Sequence, residues 1–93
     1  MFVEVRNVHG SSTALASYHG YQSWKDFWLD KTNYKWPDYC PIVGCSEKAT
    51  LGAHVYIVGD PYNRVFIMPM CDEHNQDYYG TFKVDSAWLY RLR

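Results

Sequence analysis

Hydrophobic and polar residues follow strand-like patterns in four stretches of the chain. Residues 2–8 alternate between the two classes and predict an edge strand. The runs 54–58 and 64–68 are rich in β-branched and aromatic residues, which predicts two further strands. Residues 59–63 between them read Gly-Asp-Pro-Tyr-Asn, which is strong turn chemistry, so the pair is expected to form a β-hairpin. Residues 82–84 predict a last strand.

Helical spacing is found in one stretch ahead of the hairpin. Ser23 is suited to cap a helix, with Asp26 three residues later as a variant of the capping box. Trp24, Phe27 and Trp28 recur at the spacing of one helix face, so we expect an aromatic stripe that packs on the core. These patterns together predict an α+β protein.

Length and composition favour one small domain. The chain has 93 residues, of which 47% are hydrophobic and 20% charged, as in a folded protein with a thin core. We divide it into 1–39 (N-terminal strand, a loop over 10–20 and the aromatic helix), a metal-binding core over 40–80, and a C-terminal strand and tail over 81–93.

Three cysteines and one histidine have the spacing of metal ligands. They form the pattern Cys40-x4-Cys45 followed, after 25 intervening residues, by Cys71-x2-His74. Two close pairs of soft ligands suit a tetrahedral Zn²⁺ ion, and His74 would share the first turn of a helix with Cys71. That helix is expected to end at Gly80. The competing interpretation is three buried apolar cysteines and a surface histidine, but paired spacings at both ends favour structural zinc.

Cysteine count and charge restrict the compartment and the partners. Three cysteines leave one over if they formed disulfides, so a reducing, cytoplasmic location is predicted, with no signal peptide and no membrane span. Between Ala53 and Gly80, Arg64 is the one Lys or Arg residue, against four acidic residues. A surface that binds duplex DNA normally carries clustered positive charge. The charge pattern and the many tyrosines therefore favour a protein partner over nucleic acid.

The chain has a knuckle (residues 40–45), then a hairpin, then a helix that bears the last two ligands. This order resembles a treble-clef zinc finger, in particular the ββα-metal core of HNH-type proteins. Residues 52–55 (Gly-Ala-His-Val) lie where that family has its histidine-bearing strand, and residues 66–71 resemble the strand that enters the second knuckle. Asn75 directly follows His74, and Asn63 is in the turn. Residues 24–75 also resemble small bacterial and phage proteins with a Cys-Pro knuckle.

The resemblance implies two different roles for His54. In an HNH-like endonuclease, His54 would be the general base, Asn75 would help to hold a catalytic Mg²⁺ or Mn²⁺ ion, and Asn63 would orient the histidine. In a non-catalytic relative, His54 would pack beside the zinc site or replace His74 as the fourth ligand. Ala53 stands where a metal-binding aspartate is common, which favours the non-catalytic role.

We therefore predict a small zinc-binding, non-catalytic interaction module, of the kind a phage or mobile element uses on a host protein. The first alternative is a metal-dependent HNH-like endonuclease that cuts DNA with His54. The second is a zinc module that binds nucleic acid without cutting it.

Overall fold

The computed structural model describes residues 1–8 and 20–92. These residues form a five-stranded antiparallel sheet and two α-helices, so the predicted α+β class is confirmed. The predicted loop over 10–20, apart from Gly20, and Arg93 at the end of the predicted tail lie outside the described residues. In chain order the elements are β1 (Phe2–Asn7), α1 (Trp24–Thr32), β2 (Leu51–Ile57), β3 (Phe66–Met70), α2 (Asp72–Asn75), β4 (Phe82–Asp85), a 3₁₀ helix (Ser86–Trp88) and β5 (Tyr90–Arg91).

The strand order is β4-β1-β2-β3-β5, which corrects the prediction that the first strand is an edge strand. β1 pairs with β2 on one side, with Val5 opposite Ile57, and with β4 on the other, with Val3 opposite Val84. Alternation shows which residues of a strand face the core, but it does not show how many neighbouring strands there are. The pattern therefore could not distinguish an edge strand from an inner strand.

The predicted hairpin is present, with different bounds. β2 begins at Leu51, three residues earlier than predicted, and β3 begins at Phe66, two residues later. The carboxylate of Asp60 explains the later start, because it accepts hydrogen bonds from the backbone N–H groups of Tyr62 and Arg64 and from the Arg64 guanidinium. These bonds keep residues 60–64 in the turn and out of the ladder.

The aromatic helix α1 begins as predicted and packs closely on β2. The Ser23 hydroxyl accepts a hydrogen bond from the backbone N–H of Asp26, and Phe27 and Trp28 are buried. A Cβ atom on Gly52 would lie 2.7 Å from the carbonyl carbon of Trp24, so only glycine permits this approach. The helix ends at Thr32, and Asn33 adopts the left-handed conformation.

The second helix is shorter than predicted, because it ends at Asn75 and not near Gly80. Two side chains redirect the backbone after this first turn. The Asn7 amide donates to the carbonyl oxygens of His74 and Asp77, at 2.7 Å each. The Asp77 carboxylate then accepts from the N–H groups of Tyr79 and Gly80. Both helices are too short to cross a membrane, and no described helix is long and apolar enough to do so.

Alternation along the strands separates two buried clusters. The first, here called the metal face, contains Cys40 and Cys71 together with residues of β1 to β4 such as Val5, Val55 and Met68. The second, here called the tryptophan face, is built on Phe27, Trp28 and Ile67, and three further tryptophans pack against it: Trp24, Trp36 and Trp88. The sequence patterns did not predict the 3₁₀ helix and β5, which supply Trp88 and Tyr90 to this second cluster.

Candidate metal centre

The first ligand pair, Cys40 and Cys45, lies on a tight turn that connects α1 to β2 along the chain. Cys40 is the last residue before the turn, and its backbone N–H bonds to the carbonyl of Glu47 at 2.8 Å, which closes the turn at its base. The N–H of Cys45 bonds to the carbonyl of Ile42, and Gly44 takes a φ of 85° that favours glycine. The N–H of Val43 bonds to the carbonyl of Lys83, which attaches the turn to β4.

The second pair lies where β3 enters α2. Cys71 is the N-cap of α2, and its Sγ accepts a hydrogen bond from the backbone N–H of His74. The same geometry places Nδ1 of His74 3.1 Å from Sγ of Cys71. The His74 ring also packs edge to face on Phe82, with 4.8 Å between ring centroids. Backbone and side-chain contacts therefore both orient the histidine.

The four predicted ligands lie close together. Their nearest donor atoms are all within 4.8 Å of one another, and Sγ of Cys45 is 3.8 Å from Sγ of Cys71. A tetrahedral Zn²⁺ ion with Zn–S bonds of about 2.3 Å requires sulfur atoms about 3.8 Å apart. The spacing and the soft donor set thus fit a Cys₃His metal site and are consistent with zinc.

Burial opposes the ionisation of two of these thiols. Cys40 and Cys71 are 3% and 2% exposed. Burial raises the pKa of Cys40 to about 12, and it raises the pKa of Cys71 as well. The thiolates of Cys40 and Cys71 are therefore disfavoured at neutral pH without a nearby cation. Binding of a metal at this site must therefore release protons.

His54, the predicted alternative ligand, lies apart from this cluster. Its neighbours Ala53 and Val55 belong to the metal face, so alternation along β2 turns His54 to the other side. There its ring packs edge to face on Trp24, with 4.6 Å between centroids. Within residues 1–8 and 20–92, the His/Cys/Asp/Glu cluster found around the cysteines has His74, and not His54, as its nitrogen ligand.

Two of the three residues predicted for catalysis lie in one cavity. A cavity of about 200 Å³ is present where β1 ends and β2 begins. Its described lining residues are Asn7, Val8, Trp24, Gly52, Ala53, His54, Asn75 and Tyr78. Asn63 does not line it, because that residue is in the 59–63 turn with a φ of 52°. The structure thus brings together His54 and Asn75 and leaves out the predicted third member.

Asn7 is a residue of this cavity that the sequence patterns did not indicate. It is only 2% exposed, and its Nδ2 atom joins β1 to the end of α2. Its Oδ1 atom is buried and has no hydrogen-bond partner among the described residues. A buried acceptor without a partner costs about 1–3 kcal/mol. One signal was available in the sequence, since an asparagine at an inward position of an alternating strand is unusual.

Comparisons with protein-family models, with curated proteins and with solved structures find no match to this chain. The treble-clef and HNH-like assignments therefore stay predictions that rest on the motif resemblance. The roles of Asn63 and Asn75 also stay predictions.

Proposed function

We propose that this protein is a small zinc-stabilised, non-catalytic module that binds a protein partner. The observation that carries the proposal is the Cys₃His cluster, in which protein side chains would supply all four ligands of a tetrahedral ion. Catalytic zinc sites keep one position for water or substrate, whereas closed sites stabilise folds. Zinc at this site would join the knuckle to β3 and α2, and it would leave the ion no position for chemistry.

The aromatic surface next to the knuckle supports a protein partner. A groove of about 410 Å³ runs between residues 36–39 and 48–50. Tyr39 in its wall is 62% exposed, and the neighbouring Tyr34 is 56% exposed. Trp36 is fixed in the same wall, because its Nε1–H bonds to the carbonyl of Ala49. Exposed tyrosines beside rigid aromatic residues are typical of protein interfaces.

A second candidate function is an HNH-like metal-dependent endonuclease. The observation that favours it is that His54 and Asn75 line one cavity. Two features oppose it: Asn63 is elsewhere, and no described residue of the cavity is a carboxylate able to hold Mg²⁺. We place this function second for that reason. A phage or mobile-element role and a host target are implications of the resemblance alone.

One experiment separates the two functions. Zinc-loaded protein is incubated with supercoiled plasmid and Mg²⁺ or Mn²⁺, and is also used to select binders from a random peptide library. We expect no nicking, and peptides whose binding is lost in Tyr39→Ala but kept in Tyr62→Ala, a matched exposed tyrosine in the hairpin turn. Nicking that disappears in His54→Ala would establish the nuclease function. Absence of any Tyr39-dependent peptide would contradict the proposed protein-binding groove.

A further inference from the structure

Two grooves meet beside the knuckle and share one wall. The first is the groove between residues 36–39 and 48–50, here called the aromatic groove. The second, here called the acidic groove, has a volume of about 400 Å³ and is lined by Glu47, Lys48, Thr50, Cys71, Asp72 and Glu73. Lys48 and Thr50 line both grooves, so a bound segment that fills the aromatic groove can continue into the acidic groove.

Three exposed carboxylates line the acidic groove. Glu47, Asp72 and Glu73 supply them, and none of the three belongs to an ion pair among the described residues. The Thr50 hydroxyl donates a hydrogen bond to Asp72 at 2.8 Å, which fixes that carboxylate in the wall. Lys48 is the one cation of the described lining. The groove therefore presents an excess of negative charge to a ligand.

The fold explains the position of only two of these carboxylates. Asp72 and Glu73 are in the first turn of α2, where acidic residues stabilise the N-terminus of a helix. Glu47 belongs to a different segment, and its backbone carbonyl, not its side chain, accepts the hydrogen bond from the N–H of Cys40. Its carboxylate has no hydrogen bond or ion pair among the described residues. Helix stability thus does not account for the third carboxylate at the same groove.

A bound metal would add negative charge at the same place. Cys71 lines the acidic groove and is one of the three candidate thiolate ligands. Three thiolates outweigh the two positive charges of Zn²⁺, so the loaded site would be an anion next to the three carboxylates. Such a groove attracts cationic groups and repels phosphate. Its charge therefore favours a basic peptide over a nucleic acid.

The aromatic groove requires a different part of the partner. Tyr39 presents an exposed ring there, and Nζ of Lys25 already lies 4.9 Å from the ring centroid of Trp36. A cation of the partner would be repelled by that lysine, whereas an aromatic or aliphatic side chain would not. We infer that the partner binds through a linear segment with an aromatic or aliphatic side chain in the aromatic groove and neighbouring Lys or Arg residues over Glu47 and Glu73. This inference rests on the proposed protein-binding function and specifies the chemistry of the partner.

The test selects binders from a random peptide library on zinc-loaded protein and on two carboxylate variants in parallel. The double variant Glu47→Gln, Glu73→Gln removes two charges of the acidic groove. Glu4→Gln is the control, because it neutralises an exposed carboxylate on β1 that lines neither groove. We expect Tyr39-dependent peptides to be enriched in Lys and Arg beside an aromatic or aliphatic residue on the unchanged protein and on the control. On the double variant the enrichment in Lys and Arg should be lost, with zinc content and melting temperature unchanged.

The most enriched peptide is then synthesised and its affinity is measured by titration. We expect the affinity to fall about threefold for each carboxylate removed, as for exposed ion pairs, and to fall as the salt concentration rises. Lys48→Gln should raise the affinity by a similar factor, because it removes a like charge from the wall that the two grooves share. Glu4→Gln should leave the affinity unchanged.

The outcomes separate this inference from the function on which it rests. Tyr39-dependent peptides without enrichment in Lys and Arg would overturn the inference and leave the protein-binding function intact. The same holds for an affinity that the double variant does not change, and for weaker binding in Lys48→Gln. Absence of any Tyr39-dependent peptide would overturn both the inference and the protein-binding function.

Discussion

The metal face and the tryptophan face lie on opposite sides of one sheet but are stabilised by different means. On the metal face, buried thiols form part of the core itself, and Cys40 and Cys71 are almost completely buried beside Val5 and Met68. On the tryptophan face, large rings fill the space, and the indole N–H of Trp28 bonds to the carbonyl of Trp88 at 3.0 Å. A small domain has little apolar core. We therefore expect the metal face to depend on a bound ion, whereas the tryptophan face is stabilised by buried aromatic rings.

Loss of the metal site is expected to have the largest effect on stability, and the effect should be on the metal face. We expect one zinc ion per chain and expect Cys71→Ser to unfold the metal face, because zinc binding in such sites contributes about 10–16 kcal/mol of folding free energy. Metal analysis, thermal melting and NMR dispersion measure this. A metal-free preparation with unchanged melting temperature and dispersed signals would contradict the assignment of the site.

Alanine variants of the two histidines are a matched pair that tests which histidine is the nitrogen ligand. His74→Ala should lower the zinc content, because Nδ1 of His74 lies 3.1 Å from Sγ of Cys71. His54→Ala should leave it at one ion per chain, because His54 packs on Trp24 on the other side of β2. The opposite pattern of zinc content would assign His54 as the fourth ligand.

Truncation of Trp28 is the corresponding test of the tryptophan face. Trp28 is fully buried, and its ring stacks on Trp88 with 6.0 Å between centroids. We expect Trp28→Ala to lower the free energy of unfolding by about 3–5 kcal/mol, with Trp28→Phe losing less. Protein that is still folded at low temperature should contain one zinc ion, because none of the four ligands belongs to α1. Loss of zinc in that folded fraction would show that the two faces are not separable.

Asn7 links β1 to the end of α2, where the candidate ligand His74 lies, and its replacement is expected to have a smaller effect. Asn7→Ala removes the hydrogen bonds to the carbonyl oxygens of His74 and Asp77. We expect a loss of about 1–3 kcal/mol in unfolding free energy and weaker zinc binding in a competition with a chelator. Gln76→Ala, an exposed amide in the same turn, serves as the control and should change neither quantity. If both variants behave alike, Asn7 does not support the site.

The hairpin turn belongs to neither face, and the smallest effect is expected there. The Arg64 guanidinium and the N–H of Tyr62 hold the pKa of Asp60 below its ordinary value. A carboxylate with a lowered folded pKa stabilises above its ordinary pKa and loses that contribution only as the pH falls toward the folded value. Asp60→Asn should therefore lower the melting temperature by a small and constant amount between about pH 5 and about pH 8. A difference that grows toward neutral pH would mean that another group titrates.

Local chemistry determined much of this protein without any knowledge of its tertiary structure. The Ser23 cap, the hairpin and the α+β class follow from hydrogen-bonding side chains, turn residues and periodicity, which act within a few residues. The spacing of Cys40, Cys45, Cys71 and His74 indicated the candidate metal site for the same reason, because each pair is placed by one turn.

Only the tertiary structure decided which distant segments meet. Alternation along β1 carries no information about its partners, so its position between β2 and β4 could not be derived from the pattern. The early end of α2 depends on Asn7, which is 67 residues away from His74 in the chain. Alternation along β2 turns His54 away from the cysteines, and the fold makes His54 and Asn75 line the same cavity. Contacts of that range follow from the packing of the whole sheet, which local sequence patterns do not specify.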